Sequence, residues 1–279
     1  MEFPIVKSAV GWVSMLTFLL VAGEPAAEEP PDAIVAPGYD VTHAEYPPED
    51  GETPRFAVCG PGLPLVTHDG GVLLAGVMGW VVEPGDVPVH DFSCTGDGTM
   101  YLVRGMRLTR RSKSDEKSNA GTLALLPAGD IRIAAGADGV VWIWGSVGEG
   151  DDKKYVLRRW DEENGLVDVW SGTRELTAVA PLKHEAVATC IDKNLLLWRR
   201  GKEPQIIAKT ERPCAGLAPA GGGSLFVSTR DRGILKIDAS GEVGILTMGP
   251  SGPLRVRGGR LYLLWRKKNV VLELVGTKQ

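Results

Sequence analysis

Three short pairs in this sequence set an imidazole beside a carboxylate: His68–Asp69, His90–Asp91 and His184–Glu185. Such pairs can move protons, and three that converged could hold a metal ion about 2 Å from its donors. A second chemistry lies in the arginines. Arg132, Arg212, Arg255 and Arg257 carry guanidinium forks that, brought together, bind a carboxylate or phosphate through paired N–H donors. The four cysteines, Cys59, Cys94, Cys190 and Cys214, form no CxxC motif, so zinc-ribbon and thioredoxin-like chemistry are unsupported. No Gly-x-Ser-x-Gly elbow, Walker loop or His-Glu-x-x-His is present. Gly221-Gly222-Gly223 separates two strand-like runs and opens no helix, so it reads as a turn and not a phosphate cradle.

What these residues can do depends on the elements that carry them. Of the 279 residues 43% are hydrophobic and 24% charged, the balance of a soluble domain with a core. Thirty-six Gly and 19 Pro favour many short strands joined by turns over a few long helices. The net charge of -4 gives no general basic face, so no nucleic-acid partner is expected.

Residues 8–23, SAVGWVSMLTFLLVAG, are uncharged. As a helix they would rise about 24 Å, short of the roughly 30 Å hydrocarbon core of a bilayer. That length fits the apolar region of a signal peptide, with small residues at Val21-Ala22-Gly23 for cleavage. Residues 1–23 therefore read as a signal peptide or, if uncut, a membrane anchor, and 8–23 as the only membrane contact. The chain is expected in the periplasm or secreted. Residues 24–54 are rich in Pro and acidic side chains and poor in apolar ones, which predicts a disordered linker.

From residue 55 one pattern recurs: a short apolar strand, a Gly-rich or Asp-Gly turn, then a strongly apolar strand. Its instances span 63–79, 92–106, 131–146, 178–192, 216–231 and 254–268. The second strands begin at Val72, Thr99, Val140, Ala186, Ser224 and Arg260, at intervals of 27, 41, 46, 38 and 36 residues. All but the first match the length of a four-stranded propeller blade. Residues 178–210 and 216–248 align throughout, sharing Ala-Pro, a paired hairpin and two further strands. A six-bladed all-β propeller over 55–279 is the predicted fold, with a β-sandwich as the alternative. The last unit lacks a fourth strand, so RFAVCG (55–60) is expected to complete the blade that begins at 254.

The run LAPAGGGSLFVSTRDRGILKIDASGEV (217–243) resembles the blades of the NHL and SMP-30/gluconolactonase-like propellers, and the likeness extends more weakly over 63–276. That resemblance implies a possible divalent metal at the channel mouth, held by acidic and Asn side chains.

In such a ring the first strand of each blade lines the central channel. The strand-one starts define one face (here the start face), and the turns between strands one and two define the opposite, hairpin face. His68 and His184 fall in or beside hairpin turns and His90 before a first strand, so a three-His metal site is not expected. The candidate binding cluster on the start face is His90, Asp91, Asp130, Arg132 and Arg212, with Arg255 and Arg257 on the last inner strand; the alternative is an ordinary polar channel lining. Cys190 and Cys214 approach one face on adjacent blades and make a candidate disulfide, with buried free thiols as the alternative. Trp142, Trp144, Trp198 and Trp265 read as packing between blades, and Trp160 and Trp170 as packing or as a surface platform for sugar. The run 107–121 reads as a solvated loop. The functional expectation is a non-catalytic protein-binding or scaffold propeller of the cell envelope, without cofactor. A secreted metal-dependent hydrolase or lactonase, and a carbohydrate-binding module, are the alternatives.

Overall fold

Tight two-residue turns organise the chain. Asp69-Gly70 and Gly258-Gly259 all adopt positive φ (45°, 72°, 57° and 77°), which lets His68 face Gly71 and Arg257 face Arg260 across antiparallel hairpins. The computed structural model describes residues 34–48, 53–60, 62–77, 79–112, 121–183, 185–230 and 232–277. The expected signal or anchor segment, residues 24–33 and 49–52 of the expected linker, residues 113–120 of the expected loop, and His184 lie outside the described residues.

Two strands precede the repeats, β1 (Ile34–Val35) and β2 (Tyr39–Glu45). Blade one contains β3 (Phe56–Gly60), β4 (Leu63–His68), β5 (Gly71–Leu74) and β6 (Gly79–Val82). Blade two contains β7 (Val89–Cys94), β8 (Met100–Arg104), β9 (Arg107–Arg111) and β10 (Thr122–Leu125). Blade three has β11 (Gly129–Ala135), β12 (Val141–Val147), β13 (Lys154–Asp161) and β14 (Gly165–Gly172). Blade four has β15 (Leu176–Pro181), β16 (Val187–Ile191), β17 (Asn194–Trp198) and β18 (Gln205–Lys209). Blade five has β19 (Cys214–Gly221), β20 (Ser224–Thr229), β21 (Gly233–Ile237) and β22 (Val243–Met248). Blade six is built from β23 (Leu254–Arg257), β24 (Arg260–Trp265) and β25 (Val270–Gly276). The six inner strands, β3, β7, β11, β15, β19 and β23, each contact the next, and β23 contacts β3, which closes the ring. The all-β six-bladed propeller is therefore the architecture.

Closure differs from expectation in its strand. Blade six is completed by β2, with Thr42 opposite Glu273 and Val41 opposite Leu274, and not by residues 55–60. Phe56, Ala57 and Val58 are all buried because β3 is an inner strand covered on both sides. In contrast β2 alternates exposed and half-buried positions, as suits an outer strand. This corrects the linker reading for residues 34–45: Pro and acid counts over 24–54 masked a strand of seven residues. β1 adds a fifth strand to blade five, Ile34 facing Met248 and Val35 facing Thr247. The unit at 63–79 accordingly supplies strands two and three, not one and two. Second strands then start at Leu63, Met100, Val141, Val187, Ser224 and Arg260, 36 to 46 residues apart, and the 27-residue anomaly disappears. Within 107–121, residues 107–111 form β9 and not loop.

Apolar faces of neighbouring blades make the core. Trp142, Trp144 and Leu157 of blade three meet Leu176, Val187 and Trp198 of blade four. Each large apolar side chain so covered contributes about 1.5–3 kcal/mol. Trp160 is 4% exposed and sits in the cluster of blades two and three, and Trp170 packs on Trp198 with ring centroids 6.3 Å apart. The sugar-platform reading of Trp160 and Trp170 is thereby corrected. Inner strands of different blades belong to separate sheets, so side chains satisfy backbone donors between them. Ile133 N donates to Asp91 Oδ2 at 2.7 Å, Ala135 N to Ser93 Oγ at 2.9 Å, and Gly252 N to Ser228 Oγ at 2.9 Å. Two disulfides add covalent ties: Cys59–Cys94 joins blades one and two, and Cys190–Cys214 joins blades four and five.

Candidate functional site

The inner strands converge on an axis, and the two ends of the resulting channel differ. Toward the hairpin face it widens into a cavity of about 1080 Å³. Small apolar residues, among them Ala134, Ala180, Pro181, Ala218, Pro219 and Val256, leave that space open. Its carboxylates are committed to turns. Asp238 Oδ1 accepts from Ser240 Oγ (2.6 Å), Ser240 N (2.8 Å) and Glu242 N (2.9 Å), and these bonds hold its pKa below the ordinary value. Asp138 Oδ1 likewise accepts from Val140 N at 3.3 Å.

At the start face the channel narrows to a cavity of about 40 Å³. Arg55, Asp91, Arg132, Trp144, Arg255 and Arg266 line it. Asp91 is buried, its Oδ1 accepting from Phe92 N at 2.9 Å and its Oδ2 from Ile133 N. Burial pushes its pKa up, against the nearby charges of Arg55 and Arg255 and those two hydrogen bonds. Asp130, at the rim, pairs with Arg55 at 2.7 Å and Arg132 at 3.4 Å. Arg255 lines both cavities, donates from Nη1 to Leu254 O at 2.9 Å, and lies 6.0 Å from the Phe56 ring centroid. Burial lowers its pKa, with Asp91 opposing and Arg132 adding to the shift. Burial, together with Arg55 and Arg132, brings Arg266 down to about 10.

Of the residues singled out from sequence, Asp91, Asp130, Arg132 and Arg255 meet at this narrow end. Arg257 lies instead at the wide end, where Nε donates to Val58 O (3.1 Å) and Nη2 to Cys94 O (2.8 Å) and Thr95 O (2.7 Å). It ties blade six to blades one and two. His90 and Arg212 are exposed and line neither cavity. Since β4 is a second strand, the turn after His68 lies on the same face as His90, not the opposite one; Val89 N donates to Gly70 O at 2.9 Å. Arg55, Arg266 and the Nε1 of Trp144 escaped the sequence reading. The sequence pattern places Arg55 on an outer strand, and Trp144, packed in the core between blades three and four, also lines the cavity.

The donor set does not fit the divalent metal that the family resemblance implies. Among the described residues no three His, Cys, Asp or Glu side chains converge. Asn164 serves the β13–β14 turn through Asp161, Asn194 opens β17, and neither lines the channel.

Fold and channel define the class as a six-bladed β-propeller with one constricted, arginine-lined end. No family model matches the sequence, and no curated protein sequence matches it. Solved structures of similar fold include a gluconolactonase of Xanthomonas campestris, with a TM-score of 0.59 and 14% identity, over 79% of this chain and 84% of that one. The calcium-binding protein regucalcin of Agrobacterium tumefaciens matches at a TM-score of 0.59 and 12% identity, over 81% and 91% of the chains. PorZ, a bacterial surface component of the type-IX secretion system of Porphyromonas gingivalis, matches at 0.54 and 10% identity, over 78% of this chain and 38% of that one. At these identities the likeness is one of fold.

Proposed function

We propose that this chain is an exported, non-catalytic propeller that binds a protein partner on its hairpin face. One observation carries the reading: the wide cavity runs onto an apolar, unpaired strand edge. Among the described residues β18 pairs only with β17, so its other edge presents backbone N–H and C=O groups. Ile207 of that strand lines the cavity, and its neighbour Ile206 is 59% exposed. An extended apolar segment of a partner can add to this edge as a further strand and send side chains into the cavity. The same chain provides a precedent, because β1 adds to the corresponding edge of blade five. Export is supported by the two disulfides, which persist in oxidising compartments. Among the described residues no helix is long and apolar enough to cross a membrane.

Crosslinking in intact cells followed by purification should recover a specific partner, and Ile206→Lys with Ile207→Lys should cut its yield at least tenfold. A partner recovered equally well by the double variant would overturn the proposed surface. The second reading, a secreted metal-dependent lactonase, is favoured by the size of the wide cavity, which suits a small-molecule ligand. Stoichiometric metal in the purified protein, with lactone hydrolysis lost on chelation, would replace the first reading by the second.

A further inference from the structure

Among the described residues, positive charge outweighs negative at the narrow end of the channel. Four guanidinium groups, from Arg55, Arg132, Arg255 and Arg266, line a cavity of about 40 Å³. Among the described residues, two carboxylates, Asp91 and Asp130, stand near them. Asp130 is taken by Arg55 and Arg132, and Asp91 spends an acceptor on each of two backbone N–H groups. Arg255 and Arg266 have no carboxylate within ion-pair distance among the described residues, and Arg266 only reaches Pro54 O at 3.4 Å. Arg55, Arg132 and Arg255 are half-buried and Arg266 is exposed at the rim, so their like charges repel one another and an anion bound among them would relieve that repulsion.

Unmet hydrogen-bond donors give independent support. The Nε of Arg255 and the Nε1 of Trp144 are both buried without an acceptor, and both residues line this cavity. Trp144 is 5% exposed, and its ring is fixed between blades three and four, so its N–H cannot turn away to water. An orphaned buried donor forfeits the hydrogen bond it would make to water, so it is destabilising until an acceptor arrives. Two on one small cavity, beside an excess of positive charge, call for a ligand that is all acceptor.

We infer that the narrow end of the channel is a binding site for a compact tetrahedral oxyanion, of the phosphate class, held by Arg255, Arg132, Arg266 and the Trp144 N–H. The donors come from two blades, Arg132 and Trp144 from blade three and Arg255 and Arg266 from blade six, which suits an oxyanion whose several oxygens can accept from more than one side. The cavity accommodates the oxyanion itself. Because Arg255 also lines the wide cavity, a phosphate ester can place its phosphate on the arginines and its organic part in the larger space. The site is independent of the proposed partner surface on β18.

Titration calorimetry with inorganic phosphate on the full chain tests this, at fixed ionic strength. One saturable site is expected, weakened about 10- to 100-fold by Arg255→Gln and about 3- to 10-fold by Trp144→Phe, which removes the N–H and keeps an aromatic ring in the core. Arg212→Gln, an exposed arginine off the cavity, should bind as the parent does. Glycerol 3-phosphate measured alongside assigns the source: tighter binding than inorganic phosphate marks an ester as the ligand, and weaker binding marks the free ion. Absence of saturable binding in the parent protein would overturn the inference. So would acetate binding more tightly than phosphate, or a folded Trp144→Phe protein that binds phosphate undiminished.

Discussion

Asp91 uses both carboxylate oxygens to hold its own strand start and the neighbouring blade, accepting from Phe92 N and Ile133 N. Burial nonetheless holds its pKa above the ordinary 3.8. For an acid raised in this way, the folded state binds the extra proton. Its contribution to stability is full below the unfolded value and is lost as pH rises through the folded value. Asp91→Asn removes that titration and turns one acceptor into an NH₂ group that cannot serve a backbone donor. The variant should therefore cost about 1–3 kcal/mol near pH 4, and the penalty should shrink as pH rises. Urea unfolding of both proteins from pH 4 to 8 measures it, and parallel pH curves would refute the assignment. At this scale the sequence was informative where a residue's role follows from its place in a strand. Asp91, Asp130, Arg132 and Arg255 all fall in the first few residues of recognisable inner strands. Arg266 follows a second strand and reaches the axis only because the β24–β25 connection lies on the start face, a geometry no local pattern announces.

Strands are specified by alternation and turns, so blades three to five are read directly, while the third strand of blade two, the closing strand of blade six and the whole of blade one are not. Its strands are short, and its inner strand, FAVCG, looks like any isolated apolar run until its partner is known. YDVTHAE was harder still, because its outward positions are polar and its flanks carry Pro and acidic residues. That strand protects the edge of β25, whose Val270, Val271, Leu272 and Leu274 are buried, and it leads into Tyr46, buried between blades six and one. A chain beginning at residue 53 loses all of this cover, whereas one beginning at residue 34 keeps it. With each large apolar group worth about 1.5–3 kcal/mol, the shorter chain should melt roughly 10 °C or more below the longer one and associate through its freed edge. Calorimetry and gel filtration of the two chains decide the matter; matching melting temperatures would mean that residues 39–45 do not close the ring.

A ring of six separate sheets has no backbone ladder running around it, so its integrity rests on side chains and covalent links between blades. Arg257 spans blades six, one and two through backbone carbonyls, and the disulfides lie at the one–two and four–five junctions, on opposite sides of the ring. The count of blades was legible because the repeat is a property of the sequence. The partner of Cys59 was not, since pairing with Cys94 follows only once β3 is known to be an inner strand beside β7. The two bonds close loops with sequence separations of 35 and 24 residues. Restricting the unfolded chain over such lengths is worth about 3–4 kcal/mol per bond, and sites on opposite sides of the ring should contribute additively. Paired Cys→Ser changes at either junction should each lower unfolding free energy by about that amount, and the quadruple variant by roughly 6–8 kcal/mol. That is comparable with the whole stability of an ordinary domain, about 5–15 kcal/mol, so the fully reduced ring should be at the limit of folding. Peptide mapping of the protein purified without reductant should yield the Cys59–Cys94 and Cys190–Cys214 crosslinks. Four titratable thiols in that material would instead place the burden of closure on β2 and the packing between blades.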